Sequence, residues 1–141
     1  MKRSGCGAMI QYNRTAIATT ASTATQRILV VEDNRDVLCA LSELLTLLDW
    51  RYCAAKSGEA ALEFLIADRD FSILLSDIAL PGISGIELAK KAHGMVPQLQ
   101  IIFMSGYNNL PAGVVNFPFL SLPKPYTLTQ LQEVLEKARN R

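Results

Sequence analysis

The sequence is poor in the features that mark disulfide-rich, membrane-spanning or nucleic-acid-binding proteins. Its three cysteines (Cys6, Cys39 and Cys53) are too few and too scattered for a disulfide framework or a zinc site, which favours a reducing cytoplasm. No uncharged apolar run approaches the roughly 18 residues of a membrane span. The 14 Lys and Arg residues nearly balance the 13 Asp and Glu residues, so no basic surface for nucleic acid is indicated. We therefore expect a cytoplasmic chain that contacts neither membranes nor nucleic acid directly.

Half of the 141 residues are hydrophobic, which predicts one globular domain with a core large enough to fold alone. The first 26 residues differ from the rest, because they are rich in Thr, Ala and Ser and hold no sustained apolar core. We interpret residues 1–26 as a flexible leader or linker rather than a signal peptide. Residues 27–141 form the predicted domain, which leaves no room for an output domain.

From Arg27 onward, short apolar runs alternate with segments of helical spacing. The runs predict strands at 28–31, 51–55, 71–76, 99–104 and 119–122. Helices are predicted at 34–48, from 57–59 onward, at 84–93, where Gly94 and Pro97 should stop the helix, and at 127–139. Between residues 107 and 118 we expect at most a short or irregular helix. This alternation predicts an α/β fold with a parallel sheet and helices on both faces.

Apolar side chains at helical spacing, among them Val37, Ile66 and Leu128, are expected to face the core. Trp50 and Tyr52 are expected to cover the edge of the sheet. His93 precedes Gly94 near a predicted helix end and is expected to be a surface residue.

Asp77 follows the uncharged run Phe71 to Ser76, which has the pattern of a strand buried on both faces. Turn-forming residues come soon afterwards, at Pro81-Gly82 and Gly85. The carboxylate is thus predicted at the carboxyl end of a central strand, where open α/β sheets bind ligands. Helix capping is the competing explanation, but Ser84 is better placed for that role.

Polar residues end four predicted strands: Glu32-Asp33, Asp77, Ser105 and Lys124. Because the carboxyl ends of parallel strands share one edge, these side chains should converge there. Carboxylates a few ångströms apart repel by several kcal/mol at an effective dielectric constant of about 20. A divalent cation would relieve that repulsion, and hard oxygen ligands suit Mg²⁺.

Four motifs in order carry a resemblance to a known family. They are Ile28-Leu-Val-Val-Glu32-Asp33-Asn34, Asp77-Ile-Ala-Leu-Pro81-Gly-Ile-Ser-Gly85-Ile-Glu-Leu88, Met104-Ser105-Gly106 and Pro123-Lys124-Pro125-Tyr126. Over about residues 27–139 the sequence resembles the receiver domain of two-component response regulators, including receivers attached to hybrid histidine kinases. The resemblance implies a single flavodoxin-like (βα)5 doubly wound domain with strand order 2-1-3-4-5.

The resemblance also implies a function. Asp77 would accept a phosphoryl group from a sensor histidine kinase or a histidine phosphotransfer protein, and the phosphorylated domain would signal to a downstream protein that the sequence does not name. Lys124 would pair with the phosphoryl oxygens and the Ser105 hydroxyl would hydrogen-bond one of them. The implied Mg²⁺ ligands are Glu32, Asp33, Asp77 and the backbone carbonyl of Ala79. Such a domain is not an enzyme acting on external substrates, since it catalyses only its own phosphorylation and dephosphorylation.

The sequence departs from the family pattern at the switch aromatic. Many receivers carry Tyr or Phe three residues before the lysine, where this chain has Ser121. Either Phe119 takes the role through a shifted register, or the aromatic switch is absent. Ala79 and Tyr107 are expected to tune the lifetime of the phosphoryl group, because Ala79 cannot orient an attacking water and Tyr107 would shield the site. Slow self-dephosphorylation is the resulting prediction.

Other functions fit the residues less well. A flavin- or nucleotide-binding module needs a phosphate cradle after the first strand, where Glu32-Asp33 would repel phosphate. An aspartyl phosphatase often carries a second Asp two residues after the nucleophile, where this chain has Ala79. A pseudo-receiver that binds proteins without phosphorylation is the alternative that stays open.

Overall fold

The computed structural model describes residues 26–106 and 113–141. The five strands are β1 (Arg27–Val31), β2 (Arg51–Ala55), β3 (Ile73–Asp77), β4 (Gln100–Ser105) and β5 (Leu120–Pro123). The helices of the described residues are α1 (Arg35–Leu47), α2 (Gly58–Ala67), α3 (Gly85–Met95) and α4 (Leu128–Arg139). The expected leader, residues 1–26, lies outside the described residues except for Gln26.

All neighbouring strands pair in parallel, in the order β2-β1-β3-β4-β5. This is the predicted flavodoxin-like order. Every residue of β1 and β3 is buried, as their uncharged apolar runs predict for strands covered on both faces. The carboxyl ends of β1, β3, β4 and β5 therefore meet at one edge, and the fold prediction is confirmed.

Each helix begins at a polar N-cap whose side-chain oxygen accepts a backbone N–H from the first turn. The N-caps are Asn34, Ser57, Ser84 and Thr127. The third helix ends close to its predicted end near His93, but it continues through Gly94 to Met95, and its C-cap Val96 directly precedes Pro97. Gly94 is an exposed residue of the helix, where an added Cβ would meet nothing within 4 Å.

Two apolar layers cover the sheet, and Trp50 and Tyr52, at the edge strand β2, are buried in one of them. The predicted helix faces are partly wrong: Val37 is 38% exposed, Ile66 69% and Leu128 38%. In α1 the buried stripe begins one residue later, at Leu38, and in α2 it runs through Gly58, Ala61 and Leu65. A rotation of one residue about a helix axis moves a flanking apolar side chain out of the core.

The connection between β4 and β5 contains no helix in its described part, residues 113–119. It is held by aromatic side chains instead. Phe117 is buried and stacks on His93 of α3, with ring centroids 4.4 Å apart. Phe119 meets Phe103 of β4 edge-to-face at 5.2 Å. His93 is therefore partly exposed, as expected for a residue near the surface, and its ring packs against the connection.

Among the described residues, no helix is long and apolar enough to cross a membrane.

Candidate functional site

Asp77 is the last residue of β3 and is 8% exposed. The strand is held in place on both sides of it: the Ile78 N–H donates to the Met104 carbonyl at 3.1 Å, and the buried Ser76 hydroxyl donates to the Asp77 carbonyl at 2.9 Å. Asp77 Oδ1 accepts the Ala79 N–H at 3.2 Å, closing the turn that follows. The backbone thus fixes one carboxylate oxygen and leaves the other to contact side chains.

Gly85 allows the turn after Asp77 to return closely to the strand. Its N–H donates to the Ile78 carbonyl at 2.8 Å. A Cβ at this position would lie 2.0 Å from the Asp77 carbonyl oxygen, so any other residue would displace the backbone that carries Asp77.

Lys124 follows β5 and reaches the same edge. Its backbone N–H donates to the Ser105 carbonyl at 2.8 Å. Its Nζ lies 3.0 Å from Asp77 Oδ2 and 3.5 Å from Glu32 Oε1. Burial lowers the pKa of this ammonium, but the hydrogen bond to Asp77 and the charges of Glu32 and Asp77 outweigh burial and raise the pKa above its ordinary value. Lys124 therefore stays charged beside the two carboxylates.

Glu32 lies at the end of β1 and is 3% exposed. Its N–H donates to the Ala55 carbonyl at 3.1 Å, and its Oε2 accepts the Asn34 N–H at 3.1 Å. Oε1 is buried and has no hydrogen-bond partner beyond the longer ion-pair contact with Lys124. Burial, with the charge of Asp77, raises the pKa of this carboxyl, although Asn34 and Lys124 oppose the shift.

Glu32, Asp33 and Asp77 each offer a carboxylate oxygen, and these oxygens lie within 4.8 Å of one another. Asp33 is exposed, whereas Glu32 and Asp77 are buried, so the cluster opens to solvent on one side. A buried oxygen without a hydrogen bond, two carboxylates nearby and oxygen donors alone together fit a small divalent cation such as Mg²⁺. The predicted acidic ligands are therefore brought together.

The other predicted site residues differ in how exposed they are. Ser105 is half-buried at the end of β4, opposite Pro123 in the sheet register. Ala79 is exposed in the turn beside Asp77. Phe119 is half-buried against Phe103, while Ser121, at the position expected for a switch aromatic, is exposed. Tyr107 lies outside the described residues.

The sequence patterns did not single out Glu59, which contacts the turn after β3 from α2. Its Oε2 accepts the Ile83 N–H at 3.2 Å, in the turn between β3 and α3. In the sequence, a glutamate two residues after the N-cap Ser57 indicates only a favourable helix-dipole position. No periodicity could show that the turn after another strand lies next to it.

The chain is similar to known proteins over most of its length. The model of the response regulator receiver domain matches residues 28–136. The response regulator receiver protein CpdR of Brucella abortus (strain 2308) is 34% identical over 119 residues, which are 79% of this chain and 95% of that protein. The receiver domain of the hybrid histidine kinase CckA is 33% identical with a TM-score of 0.64, covering 80% of this chain and 98% of that chain.

Some relatives are much longer. The DNA-binding transcriptional regulator NtrC of Escherichia coli (strain K12) is 30% identical over 112 residues, so 77% of this chain matches only 24% of that protein. The residues that the receiver domain family matches, 28–136, include Glu32, Asp33, Asp77, Ser105 and Lys124 of the edge described above. This chain belongs to the response regulator receiver domain family.

Proposed function

We propose that Asp77 accepts a phosphoryl group from a phosphohistidine on a sensor histidine kinase or a histidine phosphotransfer protein. In this step the P–N bond of the donor breaks, a bond forms between phosphorus and an Asp77 carboxylate oxygen, and the imidazole leaves. The observation that carries the proposal is the contact of Asp77 Oδ2 with Lys124 Nζ at 3.0 Å inside a cluster of three carboxylates. Receiver domains interact with such kinases and phosphotransfer proteins, which makes them the expected donors.

Two positive groups, the bound cation and Lys124, would neutralise the charge of the phosphoryl oxygens. The proposed ligands of the cation are Glu32, Asp33, Asp77 and the backbone carbonyl of Ala79. When bound, Mg²⁺ would supply positive charge to phosphoryl oxygens in the transition state. Lys124 already lies beside the acceptor, so its ammonium needs little movement to pair with an incoming phosphoryl oxygen. The backbone of Ile78, hydrogen-bonded to Met104 and Gly85, keeps the neighbouring nucleophile Asp77 in place.

The response to phosphorylation would begin at Ser105. The phosphoryl group adds charge and strong acceptor oxygens, to which the Ser105 hydroxyl would donate. Inverting a two-state equilibrium from 1:99 to 99:1 takes about 5.5 kcal/mol, and a charge-assisted hydrogen bond with a lysine pair supplies part of it. The Ser105 backbone carbonyl also accepts the Lys124 N–H, so a movement of Ser105 in β4 would also move the end of β5.

Phe119 is our candidate for the switch aromatic. Its ring packs on Phe103 in the layer beneath the β4–β5 connection, whereas Ser121 offers no ring. A shift of Phe119 would change the surface that binds the downstream protein. We propose residues 27–141 as the receiver domain and the cytoplasm as its place of action.

The domain would turn over no external substrate and would lose its own phosphoryl group slowly. Ala79 has no polar side chain to orient a water molecule, and Tyr107 is expected to shield the site. We expect the purified, Mg²⁺-loaded protein to keep its phosphoryl group for minutes or longer when its intact mass is followed over time. Decay within seconds would show this prediction to be wrong.

The direct test is intact mass after incubation with acetyl phosphate, with Mg²⁺ or with EDTA, beside an Asp77→Asn control. We expect a gain of one phosphoryl group that requires Mg²⁺ and is absent from the variant. No gain in either condition would favour a pseudo-receiver that binds its partners in the unmodified state.

A further inference from the structure

The turn between β3 and α3, residues 78–84, carries Ala79, whose N–H contacts Asp77 of the carboxylate cluster. Much of the turn is exposed to solvent: Ala79, Pro81 and Gly82 are exposed, and Leu80 is its one buried residue. Its two ends are held by Asp77 Oδ1, which accepts the Ala79 N–H, and by the Gly85 N–H, which donates to Ile78. The turn has a further anchor outside its own residues.

The first turn of α2 supplies that anchor through Glu59. Glu59 Oε2 accepts the Ile83 N–H at 3.2 Å. The same carboxylate lies against the bare Cα of Gly82, since a Cβ there would be 2.5 Å from Oε2. Gly82 has φ +74°, a conformation that L side chains rarely adopt, so space and backbone both favour glycine under this carboxylate.

The side chain of Ile83 docks on α2 as well. It packs against Gly58, where a Cβ would lie 2.5 Å from Ile83 Cγ1 and 3.3 Å from the Ile83 carbonyl oxygen. Gly58 and Glu59 therefore form a socket on α2 that receives both the peptide and the side chain of Ile83. The start of this helix is stabilised by the Ser57 side chain, which accepts the Ala60 N–H at 3.0 Å.

The strand that leads into this helix also positions a second part of the site. The Ala55 carbonyl, at the end of β2, accepts the Glu32 N–H at 3.1 Å. The junction of β2 and α2 thus contacts the backbone of Glu32 on one side and the turn that carries Ala79 on the other. Glu32 and the Ala79 carbonyl are both proposed cation ligands, although neither Ala55 nor Glu59 touches the cation site.

We propose that Glu59 is a positioning residue that sets the affinity of the site for divalent cations by holding the β3–α3 turn through the Ile83 N–H. The inference rests on the proposed function, since it assigns the turn a cation ligand. Its effect is expected on cation binding and on phosphorylation, and only weakly on the stability of the whole fold, because the contact is exposed.

The test compares Glu59→Ala with Glu59→Gln in the full chain, with Glu63→Ala as a matched control one turn further along the exposed face of α2. Glu59→Gln removes the charge but keeps an oxygen that can accept the Ile83 N–H. Three quantities are measured: hydrogen exchange of the Ile83 amide, Mg²⁺ affinity by isothermal titration calorimetry, and the urea midpoint of unfolding. The Gly85 amide, bonded to Ile78, is the internal reference for exchange.

For Glu59→Ala we expect Ile83 exchange about fivefold to tenfold faster and Mg²⁺ affinity roughly threefold to tenfold weaker, as the loss of one hydrogen bond predicts. Glu59→Gln should recover most of both effects, and Glu63→Ala should show neither. Unchanged Mg²⁺ affinity in Glu59→Ala, or an equal loss in Glu63→Ala, would overturn the proposal. If the wild-type protein failed to bind Mg²⁺, the proposed function would fail, while Ile83 exchange would still report on the Glu59 contact.

Discussion

The Lys124 ammonium already lies beside the carboxylate cluster before any phosphoryl group arrives. Its ammonium contacts Asp77 and Glu32 together, so it offsets part of the repulsion within the carboxylate cluster. At an effective dielectric constant of about 20, two unit charges 4 Å apart interact by about 4 kcal/mol. A cation entering the cluster would therefore meet carboxylates that are already partly neutralised.

Replacing Lys124 by Met separates its effect on cation binding from its role in phosphoryl transfer. Lys124→Met keeps an apolar stem but removes the competing charge, so we expect Mg²⁺ affinity to rise by roughly threefold to tenfold. Labelling by acetyl phosphate should fall by about tenfold or more, since the phosphoryl oxygens lose their lysine partner. Calorimetry and intact mass measure the two effects, with Lys137→Met on the exposed face of α4 as the control. Weaker Mg²⁺ binding in Lys124→Met would contradict this view of the site.

Glu32 should make the metal-free protein sensitive to pH. Its pKa in the folded protein is raised above 4.5, chiefly by burial, so the folded state holds this proton more tightly than the unfolded chain does. The resulting stabilisation is complete below pH 4.5 and is lost as the pH rises through the higher folded value. Mg²⁺ affinity should rise over the same interval, because the ionised carboxylate is the ligand.

Urea midpoints in EDTA, measured between pH 4.5 and neutrality, test this expectation. The Glu32→Gln variant should lose the part of the pH dependence that comes from this carboxyl and should bind Mg²⁺ more weakly. An identical pH profile in wild type and variant would assign the dependence to other groups.

At the scale of secondary-structure elements, the β4–β5 connection is held by side chains rather than by helical hydrogen bonds in its described part. Phe117 stacks on α3 and Phe119 packs on β4, so the connection is fixed at two points on the same layer. These two rings do what a packed helix would otherwise do, which is to cover the sheet beside β4.

Phe117→Ala should therefore lower the free energy of unfolding by about 2–4 kcal/mol. This loss approaches that of large truncations in a protein core, because the ring is buried and only 8% exposed. His93→Phe should cost much less, since a second aromatic ring can keep the stacked contact. Urea denaturation measures both, with Asn116→Ala as an exposed control in the same segment. A loss below about 1 kcal/mol for Phe117→Ala would mean that this ring does not hold the connection.

At the scale of the whole molecule, the topology explains why the sequence could predict the site so well. Asp77, Lys124 and Glu32 each lie at the carboxyl end of a short strand, and parallel strands place all such residues at one edge. The strand pattern alone was therefore sufficient to bring together residues up to 124 − 32 = 92 positions apart.

Features that depend on distances between elements were not predictable. Val37 and Leu38 are both apolar, and only packing against the sheet decides which of them is buried. The stacking of His93 on Phe117 joins a helix to an irregular segment that has no periodicity. Arg27 appeared only as the start of a strand, yet it is buried, with its guanidinium over the Phe71 ring at 4.4 Å. A lone charged residue before an apolar run gives no sign of such a contact.

The central claim is that the carboxylate of Asp77 becomes an acyl phosphate. Borohydride reduces an acyl phosphate on aspartate to homoserine, so the acceptor can be identified by peptide mass after labelling with acetyl phosphate and Mg²⁺. We expect homoserine at position 77, absent when EDTA replaces Mg²⁺ or when acetyl phosphate is omitted. Homoserine at another aspartate, or phosphoryl incorporation that leaves position 77 as Asp, would contradict it.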